Sequence, residues 1–371
     1  MQRKYLLLPL LLLLAACSPN TPPLTNSTLS NDEPVVRKHP KNIILMIGDG
    51  MGLTQITAGL YKNGNKLNLE KFPIVGLQKS YSGDNLVTDS AAGATAFSAG
   101  VKTYNGAIGV RMDSTAVKTI LEEAEERGMA TGMIATSTIV HATPAAFIAH
   151  VKSRNDYEDI AADFLKTDID FFVGGGKNYF DKRKDSRDLI RELRSKNYFV
   201  SSTDEEDLTK VAVDFNRNFA FFTADADPAP VSKGRDYLTP ATKLATLFLE
   251  KKSDKGFFLM VEGSQIDWGG HGNNSDYIIS EMIDFDKAIG AALDFAKEDG
   301  ETLIVITADH ETGGYAINTG STMDNIIPGF TTKYHTAVLI PVFAYGPGSE
   351  LFGGIYENTA IYDKMRLAFG F

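Results

Sequence analysis

Five short apolar runs punctuate the chain: Ile43–Ile47, Gly132–Thr136, Phe257–Val261, Leu303–Ile306 and Val342–Tyr345. They are rich in β-branched residues and Phe, and they run without regular polar interruption. Continuous runs of that length suit strands buried on both faces, as in a parallel sheet. Between them apolar residues recur at helical spacing. Val117, Ile120, Leu121 and Ala124 mark one helix, with Ser114 as its expected N-cap and Gly128 as its stop. Thr239-Pro240 opens a second helix carrying Leu244, Leu247 and Phe248, and Ile278, Ile279, Met282, Phe285 and Ile289 mark a third. This alternation predicts an α/β domain with helices on both faces of the sheet. Gly174-Gly175-Gly176, after Phe171-Phe172-Val173, lacks any following nucleotide-binding pattern and reads as a tight turn at a strand end. The charged stretch Asp181–Asp188 reads as a solvated loop or helix face.

The first 41 residues follow other rules. Arg3 and Lys4 precede an apolar run from Tyr5 to Ala16, too short to span a bilayer, which describes an export signal over residues 1–16. Its end, Leu14-Ala15-Ala16-Cys17, resembles the lipobox of bacterial lipoproteins, so Cys17 is the expected lipidated N-terminus. This predicts an exported protein, periplasmic or on the cell surface, held to a bacterial membrane through Cys17. Stable anchoring takes more than one acyl chain. Residues 18–41 are rich in Ser, Thr, Asn and Pro and read as a tether, leaving 42–371 as the folded domain.

Composition narrows the classes. With 43% hydrophobic and 23% charged residues the 371-residue chain has globular proportions. Its 47 acids against 37 bases, a net charge of −10, argue against a nucleic-acid binder. Losing Arg3 and Lys4 with the signal takes the charge to −12. A lone cysteine permits no intrachain disulfide.

The candidate chemistry follows the apolar runs. Gly48-Asp49-Gly50 comes after the first, His141-Ala142-Thr143 after the second, Glu262, Asp267 and His271 after the third, and Asp309-His310 after the fourth. In an open parallel sheet ligands bind beyond the carboxyl ends of the strands. Four strands therefore deliver carboxylates, imidazoles and a hydroxyl to one edge. Oxygen and imidazole ligands without thiolates suit zinc beside a harder ion such as magnesium. Separately, Thr88-Asp89-Ser90-Ala91-Ala92-Gly93-Ala94-Thr95-Ala96 is built of small residues, with Ser90 where a helix begins. A helix start favours an anion, and a serine beside metal ions can serve as a nucleophile for phosphorus.

From Asn42 onward these motifs resemble the alkaline phosphatases, especially compact cold-active bacterial ones with Trp in a Glu-Gly-x-x-Ile-Asp-Trp segment. The resemblance rests on Ile44–Gly52, Asp89–Thr95, His141-Ala142-Thr143-Pro144, Glu262–Asp267 and Thr307-Ala308-Asp309-His310-Glu311. It implies a doubly wound, mostly parallel central sheet and an exported hydrolase of small phosphate monoesters. Ser90 becomes the phosphorylated nucleophile. Two Zn2+ and one Mg2+ per subunit are implied: one zinc on Asp49, Ser90, Asp309 and His310, and a second on Asp267, His271 and His335. Asp49 bridges to the magnesium, completed by Thr143 and Glu262. Arg154 grips two phosphate oxygens. His141 is expected to reach the magnesium through water, and Trp268, whose indole N–H can donate but not bind metal, to support the site or touch phosphate. His39 is expected to be idle in the tether and His150 to be a packing residue. A homodimer is implied, and only 24 residues separate His310 from His335, so the accessory cap is expected to be small or absent.

Rival readings meet obstacles in the same residues. A sulfatase needs an Arg that Ser90-Ala91-Ala92-Gly93-Ala94 lacks. A phosphodiesterase of the superfamily usually has a Thr nucleophile and lacks the third metal's ligands. A non-catalytic metal- or phosphate-binding lipoprotein would lack a ligand or the nucleophile, and every position is filled.

Overall fold

The computed structural model describes residues 39–371, so the signal, Cys17 and residues 18–38 of the tether lie outside the described residues. Ten strands form one sheet: β1 (Asn42–Gly48), β2 (Ile74–Lys79), β3 (Ala130–Thr138), β4 (Phe171–Gly175), β5 (Tyr198–Ser202), β6 (Asn218–Phe222), β7 (Phe257–Gly263), β8 (Thr302–Thr307), β13 (Ile340–Tyr345) and β14 (Gly354–Glu357). Four two-residue strands make two small ribbons: β9 (Glu311–Thr312) with β12 (His335–Thr336), and β10 (Ala316–Ile317) with β11 (Pro328–Gly329).

The sheet order is β14-β2-β13-β8-β1-β7-β3-β4-β6-β5. The five apolar runs of the sequence are five adjacent strands in the middle of it, where both faces are covered. Along β1, Ile43, Leu45 and Ile47 enter one core while Ile44 and Met46 enter the other. Helices cover both faces, as expected of a doubly wound fold. Helix Ser275–Asp299 supplies Ile278, Ile279, Met282, Phe285 and Ile289 to one core, and helix Ala360–Phe369 supplies Ile361 and Met365 to the other. One strand reverses: β13 is antiparallel to both β2 and β8, while the other sheet pairings are parallel. An apolar run says nothing of direction, so the sequence could not show this. The interval between His310 and His335 holds β9, the β10–β11 ribbon and their loops.

Several local expectations change. The helix foreseen from Ser114 begins at Ile120, because Thr119 and Glu122 form a reciprocal capping box: Glu122 N–H donates to the Thr119 hydroxyl and Thr119 N–H to the Glu122 carboxylate. Ser114 instead sits in a turn at φ +66°. Leu247, one of the apolar residues that marked the second helix, is 50% exposed. Within Asp181–Asp188, the Arg183 side chain is buried and donates to the carbonyls of Glu158 and Tyr179 and to Asp185, so that stretch is not merely solvated. His39 is not idle: its Nδ1 lies 2.8 Å from the Ala368 carbonyl, tying residue 39 to the C-terminal helix.

Candidate active site

Strand ends and one helix start meet beyond the carboxyl edge of β1, β3, β7 and β8. Asp49 leaves β1 and is held by its N–H to the Gly263 carbonyl. Gly50, at φ +74°, follows; a Cβ there would lie 2.7 Å from the Asp267 Cα, so glycine is what lets these two turns meet. Ser90 is the first residue of helix Ser90–Ala99, and Asp89 is the N-cap, its Oδ1 accepting from Ala92 N–H. The small residues of that helix have a reason: a Cβ on Gly93 would come within 3.0 Å of the Asp309 Cβ.

Three groups of ligand-type atoms result. In the first, Ser90 Oγ lies 3.3 Å from His310 Nε2, and the same nitrogen is 3.5 Å from Asp49 Oδ1 and 3.2 Å from Asp309 Oδ2. In the second, His271 Nε2 is 3.3 Å from Asp267 Oδ2 and 3.2 Å from His335 Nε2, and His335 Nε2 is 3.6 Å from Asp267 Oδ1. His310 can also join Asp267 and His335, because its ring stacks on His335 with centroids 3.4 Å apart. In the third, Asp49, His141 and Glu262 bring ligand atoms within 4.8 Å of one another. The Thr143 hydroxyl sits beside Glu262. Asp49, Glu262, Asp309 and His310 are fully buried.

Backbone carbonyls orient two imidazoles. His271 Nδ1 is 2.7 Å from the Lys333 carbonyl and His335 Nδ1 is 2.8 Å from that of Thr88. Each Nδ1 therefore carries the proton and each Nε2 presents a lone pair to the cluster.

Without an ion the site is electrostatically incomplete. Burial, and then the charges of Asp309, Asp267 and Glu262, push the Asp49 carboxyl well above its ordinary range. Burial likewise pushes Glu262 up to about 8. Burial also opposes ionisation of Asp267, but the His271 hydrogen bond and the nearby imidazoles outweigh it and hold Asp267 below the ordinary range. Both Asp49 oxygens, Asp309 Oδ2, Glu262 Oε1, Thr143 Oγ1 and His141 Nδ1 are buried without a hydrogen-bond partner. Orphaned oxygens converging in one place are what a divalent cation satisfies.

Arg154 lies at the rim. Its Nη1 donates to Asp89 Oδ2 at 3.1 Å and its Nη2 faces His141 Nε2 at 3.3 Å. Burial and then the guanidinium lower the His141 pKa to about 4, so the ring is neutral and can accept from Arg154. His141 thus stands beside Asp49 and Glu262 with its ring held by Arg154. Trp268 meets it edge-on, with ring centroids 6.3 Å apart. His150 lies elsewhere, between the Gly109 carbonyl and Glu122, as a packing residue should.

Sequence reasoning missed three supporting residues. Asp89 caps the serine helix and aims Arg154. Asn105 holds the approach to Ser90, its Oδ1 accepting from Asp89 N–H and its Nδ2 donating to the Val87 carbonyl. The Thr312 hydroxyl touches both Asp267 and His310. An Asp just before a run of small helical residues was a readable cap signal; the other two carry no such mark.

Comparison with known proteins settles the family. The alkaline phosphatase family model matches residues 40–328. Alkaline phosphatase 3 of Bacillus subtilis is 38% identical, over 86% of this chain and 87% of its own length. The chain belongs to the alkaline phosphatase family. Among solved structures, alkaline phosphatase from the Antarctic bacterium TAB5 is 49% identical, with a TM-score of 0.84, covering 90% of this chain and 99% of its own. The cold-active alkaline phosphatase of the psychrophile Shewanella sp. is 30% identical, with a TM-score of 0.80, covering 88% and 99%. A His-to-Asp variant of the TAB5 alkaline phosphatase has been solved with magnesium bound in its M3 site. As an alkaline phosphatase this protein is a metal-dependent hydrolase of phosphate monoesters.

Proposed function

We propose that hydrolysis runs through a phosphoserine at Ser90. The supporting observation is that Ser90 Oγ lies within 3.3 Å of His310 Nε2, at the point where Asp49 and Asp309 also converge. Ser90 Oγ attacks phosphorus, forming a P–O bond as the bond to the leaving alcohol breaks. Water then attacks the same phosphorus, the serine P–O bond breaks, and inorganic phosphate leaves. Two in-line displacements give overall retention at phosphorus.

The residues fit two zinc ions, one on Asp49, Ser90, Asp309 and His310 and one on Asp267, His271 and His335, and a magnesium ion on Asp49, Thr143 and Glu262. When bound, these ions supply the positive charge that favours the ionised serine and the departing oxygen. Arg154 presents a planar pair of N–H groups to two non-bridging phosphate oxygens, and Asp89 keeps that fork aimed. His141 and Trp268 brace the arginine and the third group.

Ser90→Ala tests the reading. It should abolish most aryl-phosphate hydrolysis while bound zinc and the fold persist, and acid-quenched native enzyme should carry phosphate on the Ser90 peptide. Full activity in S90A overturns it.

Export and lipidation at Cys17 are part of the proposal and rest on Leu14-Ala15-Ala16-Cys17. Among the described residues no helix is long and apolar enough to cross a membrane. Fatty-acid labelling that survives Cys17→Ala would refute the anchor. We also propose a homodimer, supported by exposed apolar side chains at Leu53, Val338 and Leu339 around one groove and at Val75 and Ile355 on outer strands. Light scattering at monomer mass would refute it.

A further inference from the structure

Thr312 is fully buried on β9, wedged between two glycines of the site. A Cβ on Gly50 would lie 2.8 Å from its Oγ1, and one on Gly270 would lie 2.7 Å from its Cβ. Its N–H reaches the Gly50 carbonyl at 3.3 Å, and its carbonyl accepts from Gln55 Nε2 at 2.9 Å. The backbone thus fixes the residue from both sides, leaving the hydroxyl little freedom.

That hydroxyl has two partners, Asp267 Oδ1 at 2.5 Å and His310 Nδ1 at 3.2 Å. It owns one proton, and an ionised carboxylate can only accept. The proton therefore goes to Asp267, and the hydroxyl oxygen accepts from His310 Nδ1–H. This sets the His310 tautomer, with the Nε2 lone pair turned to Ser90, Asp49 and Asp309. It also ties down one oxygen of Asp267 and leaves Oδ2 facing His271. His271 and His335 are each oriented by a carbonyl of their own, whereas His310 depends on a side chain that it shares with the other cluster.

We infer that Thr312 is a positioning residue that couples the two zinc clusters, one hydroxyl orienting a ligand of each. The inference rests on the ligand assignment proposed above. Groups that orient metal ligands in this way change metal affinity by roughly ten- to a hundredfold when removed. Removing the hydroxyl should therefore loosen both ions at once.

The test is zinc release from the metal-loaded protein to a chromogenic chelator, resolved ion by ion, for native enzyme, Thr312→Val and Thr312→Ser. Valine keeps the shape and removes the hydroxyl; serine keeps the hydroxyl. The expected result is two zinc ions per native chain, roughly ten- to a hundredfold weaker retention of both in T312V, and near-native retention in T312S. Melting of the metal-free T312V protein within a few degrees of metal-free native protein separates positioning from misfolding. If T312V does not fold, Thr312→Ala takes its place in the same comparison. A native chain that holds no zinc overturns the ligand assignment and the inference with it. A native chain that holds two ions while T312V matches it overturns the inference alone. So does weakening of only one ion, or a T312S protein as leaky as T312V.

Discussion

Arg154 uses two different nitrogens for two different neighbours, Asp89 and His141, and the rest of its fork is free to meet substrate. A charge-assisted hydrogen bond contributes about 1.5–3 kcal/mol, so Arg154→Ala should lower kcat/KM roughly ten- to a hundredfold and weaken inhibition by inorganic phosphate. Arg154→Lys should recover little, because a lysine offers a point charge and not a planar pair. Steady-state rates with phosphate as competitive inhibitor check both, and unchanged inhibition would remove Arg154 from the phosphate site. At this scale position along the chain marked several of the clustered residues, whereas Arg154 and His335 entered only through the family resemblance. Asp49, Glu262 and Asp309 stand at or just past the ends of apolar runs, and Ser90 stands at a helix start, so position alone marks them. Asn105 and Thr312 act by holding other residues, across 16 positions in one case and 45 in the other, and only folding reveals what they hold.

Among the elements, the strands read correctly were those covered on both faces, where apolar character is continuous. The outer strand β2 alternates in burial and so gave no comparable run. The Ile120–Glu126 helix shows how local chemistry overrides periodicity, since its cap lies five residues past the expected one. The same helix carries a pH-sensitive feature at the opposite end of the sheet from the site. The Glu125 carboxylate accepts from the Thr131 hydroxyl at 2.9 Å, and Asp170 accepts from the Thr131 N–H at 3.0 Å. Burial, and then the charge of Asp170, raise the Glu125 pKa to about 7. A carboxyl raised on folding stabilises the protein below its unfolded pKa, and that contribution is lost as pH rises through the folded value. Glu125→Gln keeps an acceptor for Thr131 and has no charge to bury. It should therefore melt higher than native protein at pH 9 and lose that advantage by pH 5. A melting difference that does not change with pH would refute this.

For the whole molecule, one sheet with a core on each face brings Asp49, Glu262, Asp267 and Asp309 into a single buried place. Burial raises the pKa of Asp49 and Glu262, so these two carboxylates oppose folding when ionised unless cations join them. Stripping the metals with a chelator should lower Tm by several degrees, on the order of 5 °C for a site filled at a thousandfold its Kd, and adding zinc and magnesium back should restore it. Calorimetry before and after chelation checks this, and an unchanged Tm would mean the ions contribute nothing to folding. The β9–β12 ribbon has a further consequence. It pairs His335 directly with Thr312, and Gly313 N–H closes the neck on the Tyr334 carbonyl. Everything between these points leaves and returns through that one clamp. Loop closure costs only about 0.6 kcal/mol for each doubling of length. A peptide spliced into the turn between Asn318 and Ile327 would therefore ride outside the catalytic pocket, making this turn a natural place to graft a new module onto the enzyme.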